Sequence, residues 1–143
     1  MTVSATGAAA RVVAATTTFD VPIEPVIEWF SEAENLPSWS GFFSEVDAAG
    51  PDGRHPAMSL AGVISTWTEV VRGPERDEVA ICSLIHGRTE RAVLSFEQLD
   101  STGTKVEFVV TVLRPESEAA LETQRARMTD ELAAARRLLE VRA

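Results

Sequence analysis

The stretch STGTKVEFVVTVLRPESEAALETQRARMTDELAAARRLL, residues 101–139, decides the fold of this chain. Its first half predicts a strand over 104–113, because apolar residues at every second position give a strand one buried face. That face consists of Val106, Phe108, Val110 and Val112. Its second half predicts a long helix over 116–140, since Pro115 and the acidic residues after it suit a first turn. One side of this helix is apolar and carries Leu121, Met128, Leu132, Ala135 and Leu139.

Six further strands are predicted upstream, with short connections between them. These strands are 11–19, 42–48, 56–62, 63–71, 78–86 and 89–99. Turn-forming residues such as those at 50–53 and 100–103 separate them, and short connections favour antiparallel pairing. A short helix opens near Asp20 and Pro22, and a second helical turn follows within ENLPSW, 34–39. The order predicts an α+β fold of two layers, in which a long helix covers an antiparallel sheet.

The composition is that of one globular domain. The chain has 143 residues, of which 45% are hydrophobic and 24% charged, so a single domain is predicted over 11–143, after a flexible N-terminus at 1–10. The net charge of −9 opposes nucleic-acid binding, because such proteins neutralise phosphates with Lys and Arg. One cysteine and two histidines exclude an intramolecular disulfide and the usual Cys/His zinc site. We predict no metal and no cofactor.

Neither a targeting signal nor a membrane span is evident in the sequence. Residues 1–10, MTVSATGAAA, have no Lys or Arg ahead of an apolar core. No stretch approaches the roughly 18 apolar residues that a spanning helix needs. We therefore expect a cytoplasmic protein, monomeric or homodimeric, that does not bind membranes.

Acidic residues are concentrated between Val12 and Gly53, a segment that contains no Lys or Arg. A solvated acidic surface is one interpretation of this segment. The other is a docking face for a basic protein partner, and the sequence identifies no such partner.

The chain resembles the START-like helix-grip superfamily, in its polyketide cyclase and aromatase branch, from residue 11 onward. The resemblance rests on FDVPIEPVIEWF (19–30), ENLPSW (34–39), FFSEV (42–46), STWTEVV (65–71), STGTKVEF (101–108) and the terminal helix. It implies a curved seven-stranded antiparallel sheet around a long C-terminal helix, with two short helices after the first strand. It also implies a deep cavity, since members of this family bind lipids, quinones, hormones or polyketides.

Residue by residue, the resemblance implies a ligand pocket lined in part by aromatic side chains. The expected ligand-binding residues are Trp39, Trp67, Phe96, Phe108, Met128 and Leu132. Glu45 matches a pocket glutamate of the tetracenomycin-type aromatases. Two positions depart from those enzymes, because Val71 stands where they have a pocket arginine and Val46 where they have a tyrosine.

Three ionisable residues are candidates for catalysis: Glu69, Arg125 and Glu45. If Trp67 faces the cavity, strand alternation sends Glu69 the same way, and its carboxyl group could then transfer a proton. The alternative is that Glu69 is an ordinary surface charge. Arg125, at the edge of the apolar side of the long helix, either binds an oxyanion or extends into solvent. A fourth residue, His86, is expected to face solvent at a turn.

Two functions remain open on the sequence. The first is a cofactor-independent enzyme of natural-product biosynthesis that binds a polyketide-like, largely apolar molecule in the cavity and assists its cyclisation or dehydration. The second is a noncatalytic carrier or resistance protein for a lipid, a quinone or a hydrophobic natural product. A scaffold that uses its acidic surface would instead have no cavity large enough for a ligand.

Overall fold

The computed structural model describes residues 10–59, 65–73, 77–85, 88–113 and 115–142. Its strands are β1 (Ala10–Phe19), β2 (Phe43–Val46), β3 (His55–Ser59), β4 (Ser65–Arg72), β5 (Glu78–Ile85), β6 (Arg88–Gln98) and β7 (Thr104–Leu113). Its α-helices are α1 (Ile23–Ser31), α2 (Leu36–Trp39) and α3 (Glu118–Arg142), with a 3-10 turn at Ala33–Asn35. Ala10 already belongs to β1, while residues 1–9, the predicted strand ends at 60–64 and His86 lie outside the described residues.

The seven strands form one antiparallel sheet in the order β1-β7-β6-β5-β4-β3-β2. Strands β2 to β7 follow each other as a meander, and β1 pairs with β7 at one edge. The α+β helix-grip layout is therefore confirmed: a seven-stranded antiparallel sheet, a long C-terminal helix and two short helices after the first strand.

One face of the sheet, here called the inner face, packs against α3. Direct cross-strand partners share a face, so the pairs Val79–Leu94, Leu94–Phe108 and Phe108–Ala15 define it across β5, β6, β7 and β1. All four side chains are buried in the core. The helix contributes the five residues predicted from its apolar side, and all five are buried: Leu121, Met128, Leu132, Ala135 and Leu139.

Helix α1 adds an aromatic cluster to this core. Phe30 is buried and makes edge-to-face contacts with Phe19, Trp29 and Trp39, at ring-centroid distances of 5.9, 5.2 and 5.1 Å. In such contacts the partly positive edge of one ring faces the partly negative face of the other. Phe30 therefore fixes α1 and α2 against the sheet.

The start of α1 differs from the sequence prediction. The residue before the helix is Pro22, which has no side-chain capping bond, and Asp20 does not cap the helix. Instead, the backbone N–H of Asp20 donates to the Glu140 carboxylate at 2.8 Å. The carboxylate that accepts this N–H before α1 thus comes from Glu140, near the end of α3. Sequence spacing does not reveal this contact.

Candidate ligand pocket

A pocket of about 350 Å³ lies between α3, the segment from α2 to β2, and the inner face of β5, β6 and β7. Its described lining residues are Leu36, Trp39, Ser40, Phe42, Phe43, Ile81, Ser83, Glu90, Arg91, Ala92, Phe108, Val110, Thr111, Val112, Leu113, Gln124, Arg127 and Glu131. Ten of these residues are apolar and eight are polar or charged, and most of the polar ones come from α3, β5 and β6. Apolar walls that carry polar groups are usual in a small-molecule site.

Aromatic residues form the wall of the pocket next to α2. Trp39 is only 4% exposed, and its ring meets that of Phe108 on β7 at 5.6 Å in an edge-to-face arrangement. Helix α2 is one turn long, and the Ser40 N–H closes it by donating to the Leu36 carbonyl at 2.7 Å. This closed turn holds the indole of Trp39 between the core and the pocket. Phe42 and Phe43 continue the wall, with ring centroids 4.9 Å apart.

Glu131 supplies a part-buried carboxyl group on the α3 side of the pocket. Its Oε2 accepts a hydrogen bond from the backbone N–H of Gly41 at 2.5 Å. Burial raises the pKa of the Glu131 carboxyl, and the Gly41 hydrogen bond and the charge of Arg127 oppose that rise. A carboxyl group in this environment can hold or release a proton at a less acidic pH than an exposed one.

Two polar residues face each other on the sheet side of the pocket. Ser83 on β5 is 3% exposed and is the direct cross-strand partner of Glu90 on β6. Direct partners in an antiparallel pair project to the same face, so Glu90 projects from the inner face with Ser83. The hydroxyl of Ser83 donates to Thr68 Oγ1 at 2.9 Å.

Five of the six expected ligand-binding residues lie in the layer between the sheet and α3, and they separate into two groups. Trp39 and Phe108 line the pocket. Phe96, Met128 and Leu132 are buried in the core, and none of them lines the pocket. They support the packing of the pocket wall and of α3.

Trp67 and Glu69 lie on the outer face of the sheet, which corrects the expectation that they share the cavity. Their neighbours on β4 set the parity, because Val70 pairs with Ile81 and Thr68 pairs with Ser83, both on the inner face. Alternation then turns the odd-numbered residues outward. Trp67 is half-buried there, with the Arg54 guanidinium 4.0 Å from its ring centroid.

The other two catalytic candidates also lie apart from the pocket. A bulge in β2 places Phe43 opposite Ser59 and Glu45 opposite Met58, and the extra residue leaves Glu45 exposed. Arg125 is half-buried on α3 and forms an ion pair with Glu122 of the same helix. Neither side chain lines the pocket.

Sequence reasoning missed Glu131, Glu90 and Ser83. Glu131 had a signal, since Gln124, Arg127 and Glu131 recur with helical spacing beside the apolar side of α3 and all line the pocket. Ser83 and Glu90 had none, because only the β5–β6 register brings them together on the inner face.

A wider groove of about 1010 Å³ runs along α1 and the end of α3. Its lining includes the exposed side chains of Pro22, Pro25, Glu28, Glu32 and Glu34. Part of the acidic segment identified in the sequence therefore borders this groove. We regard it as a surface groove, because exposed charged and proline side chains form much of its wall.

The described ranges hold no cluster of metal ligands and no helix suited to span a membrane. Within them, His, Cys, Asp and Glu side chains form no group of three or more that could hold a metal ion. None of the helices there combines the length and the apolar character that crossing a membrane requires.

Comparison with known proteins finds similarity in structure only. No protein-family model matches the chain, and no curated protein matches it. A START superfamily protein from Mycobacterium smegmatis aligns with a TM-score of 0.71 and 16% identity, over 92% of this chain and 99% of that one. A norcoclaurine synthase mutant from Thalictrum flavum, in complex with a transition-state analogue, gives 0.67 and 12%, over 94% and 97%.

The same fold occurs in a protein of a biosynthetic pathway. The di-domain ARO/CYC StfQ, from the steffimycin biosynthetic pathway, aligns with a TM-score of 0.62 and 16% identity. The alignment covers 90% of this chain and 45% of StfQ. With this sheet order and these neighbours, the chain has the START-like helix-grip fold.

Proposed function

We propose that the chain binds a flat, largely apolar small molecule of polyketide type in the pocket and assists its cyclisation or dehydration. One observation carries the proposal: the aromatic wall of Trp39 and Phe108 lies in the same pocket as the part-buried carboxyl group of Glu131. Flat rings pack well against aromatic side chains, and a carboxyl group in a partly buried site can exchange protons with a bound ligand. The shared fold with StfQ supports this class of ligand.

The chemistry assigned to Glu131 is proton transfer. In an aldol closure, a base removes a proton from the carbon between two carbonyl groups, a new C–C bond forms from that carbon to a third carbonyl carbon farther along the chain, and the oxygen of that third carbonyl takes up a proton. Glu131 can accept the first proton and return it to that oxygen. In dehydration, the resulting hydroxyl group and a proton of the adjacent carbon leave as water.

Burial supports this role, because it raises the pKa of the Glu131 carboxyl towards the working pH of a general acid or base. The Gly41 N–H holds Oε2 in place, so Oε1 is the oxygen we assign to the transfer. The pocket would contribute the larger effect by holding a flexible chain in a reactive conformation and excluding water.

The second candidate is a noncatalytic binder of a lipid, quinone or hydrophobic natural product. The Glu131–Gly41 hydrogen bond favours it, since that bond also joins α3 to the segment before β2 and would be useful without chemistry. In this case the aromatic wall binds the ligand and Glu131 only positions the helix.

The test is turnover of a linear 1,3,5,7-tetraketone, in which a carbon between two carbonyl groups can close a six-membered ring onto the far carbonyl carbon with loss of water, followed by chromatography of the product. Glu131→Gln keeps the Gly41 hydrogen bond and removes proton transfer, so we expect a loss of about 10²–10⁴-fold in rate with binding retained. Glu122→Gln, on an exposed turn of the same helix, is the matched control and should leave the rate unchanged. Binding without turnover in the unmodified chain would favour the noncatalytic binder, and absence of binding would refute both.

A further inference from the structure

A chain of hydroxyl groups runs from the pocket into the sheet. Ser83 lines the pocket and hydrogen-bonds to Thr68 Oγ1 at 2.9 Å, and Thr68 Oγ1 in turn contacts the backbone carbonyl oxygen of Cys82 at 3.3 Å. Thr68 is fully buried and Ser83 is 3% exposed. Buried hydroxyls of this kind keep a fixed hydrogen-bond pattern, because breaking it leaves an unsatisfied polar group.

The direction of this chain follows from its last member. A carbonyl oxygen can only accept, so Thr68 must use its single proton to donate to Cys82. Thr68 Oγ1 is then the acceptor in its bond with Ser83, and Ser83 must donate its own proton. The Ser83 oxygen is left with acceptor capacity only, and its residue lines the pocket.

The direct cross-strand partner of Ser83 has the same acceptor character. This partner is Glu90, which also lines the pocket and whose carboxylate is an acceptor. On the sheet side of the pocket, the Ser83 oxygen, which can only accept a hydrogen bond, therefore lies beside the Glu90 carboxylate. A ligand oxygen without a proton would face two acceptors there, and a ligand hydroxyl would find a partner.

From this arrangement we infer that Ser83 is a specificity-determining residue that selects ligands bearing a hydroxyl donor, phenolic or enolic, at the end next to the sheet. The inference rests on the proposed function, because it names a feature of the ligand held in the same pocket. It assigns no catalytic step to Ser83. It narrows the substrate class to hydroxylated aromatic or enolised polyketide molecules.

The experiment compares two neutral two-ring probes, 2-naphthol and 2-methoxynaphthalene, by their own fluorescence as the protein is added. The unmodified chain should bind the naphthol about threefold to tenfold more tightly, the ratio expected of one net hydrogen bond. Ser83→Ala should remove most of this preference. Ser95→Ala is the matched control, since Ser95 lies between the inner-face residues Leu94 and Phe96 and projects from the outer face.

Thr68→Val is the sharper variant, because it removes the acceptor for Ser83 and frees the Ser83 proton to turn towards the ligand. The preference for the naphthol should then shrink through tighter binding of the methoxy probe, whereas Thr68→Ser should keep the original preference. Thermal melts establish that each variant is folded. If Ser83→Ala and Thr68→Val both leave the preference for the naphthol intact, the preference comes from the carboxylates and the inference is overturned. Equal binding of the two probes by the unmodified chain would also overturn it. Failure of both probes to bind the unmodified chain would instead count against the proposed function.

Discussion

The two faces of β4 differ in a way that the sequence STWTEVVR does not suggest. The inner face carries Thr68, fully buried, and the partly buried Val70, while the outer face carries Trp67 and Glu69. The large aromatic side chain of Trp67 thus lies away from the core, whereas the polar side chain of Thr68 lies in it. Alternation states which residues share a face, but cross-strand partners decide which face is inner.

The two faces of β4 stabilise these side chains by different interactions. On the inner face, Thr68 is acceptable in the core because its hydroxyl is hydrogen-bonded on both sides, to Ser83 and to the Cys82 carbonyl. On the outer face, Trp67 remains half-exposed and packs its ring against the Arg54 guanidinium. Residue type alone therefore does not rank candidates for a pocket, because either kind of side chain can be satisfied on either face.

The largest expected effect tests the inner face where α3 covers it. Leu132 is fully buried in the core and Leu138 is 39% exposed on the same helix. Leu132→Asp would bury a charge without a partner, at a cost of several kcal/mol, and should abolish cooperative unfolding. Leu138→Asp is the control and should change the stability by no more than about 0.5 kcal/mol, as is usual for surface substitutions. Thermal melts followed by circular dichroism measure both, and a cooperative melt for Leu132→Asp would contradict the packing of α3 described above.

The next effect contrasts Trp39 and Trp67 as ligand contacts. Trp39→Leu removes a ring from the pocket wall and should weaken 2-naphthol binding about tenfold, since aromatic contacts contribute about 0.5–1.5 kcal/mol beyond the area they bury. Trp67→Leu, on the outer face, should leave the affinity within about twofold. Isothermal titration calorimetry measures both, with Phe42→Leu as a second pocket variant if Trp39→Leu proves unstable. A greater loss with Trp67→Leu than with Trp39→Leu would place the ligand on the outer face instead.

The fold was predictable because its signals are local. The apolar side of α3 and the alternation in β7 each occupy one continuous segment. All five predicted residues of α3 are buried, whereas in β7 Val106 and Phe108 are buried and Val110 and Val112 are half-buried. The candidate site depends on contacts between distant segments instead. The hydrogen bond from Gly41 to Glu131 spans 90 positions, and the parity of β4 depends on its pairing with β5. Helical spacing places Glu131 beside the apolar side of α3 but does not reveal its hydrogen bond to Gly41, and alternation alone does not decide which face of β4 carries Trp67.

The last prediction compares two carboxyl groups, one part-buried at the pocket and one exposed at a turn. Burial raises the pKa of Glu131 above its ordinary value of 4.5. Hydrogen bonds from the backbone and side chain of Thr102 lower the pKa of Asp100 below its ordinary value of 3.8. The two groups should therefore affect the pH dependence of stability with opposite signs.

For Glu131, ionisation costs more in the folded state than in the unfolded state. The cost is absent below the unfolded pKa, grows as the pH rises through the unfolded and then the folded pKa, and is complete above both. Asp100 instead contributes stability that is fully present above its unfolded pKa and is lost as the pH falls through its folded pKa. Urea unfolding at several pH values from 3 to 7 should accordingly show Glu131→Gln more stable than the unmodified chain at pH 7, and Asp100→Asn less stable. Both differences should shrink towards zero in acid, and a Glu131→Gln variant that is less stable at pH 7 would mean that the carboxylate, held by Gly41 and Arg127, stabilises the fold despite its burial.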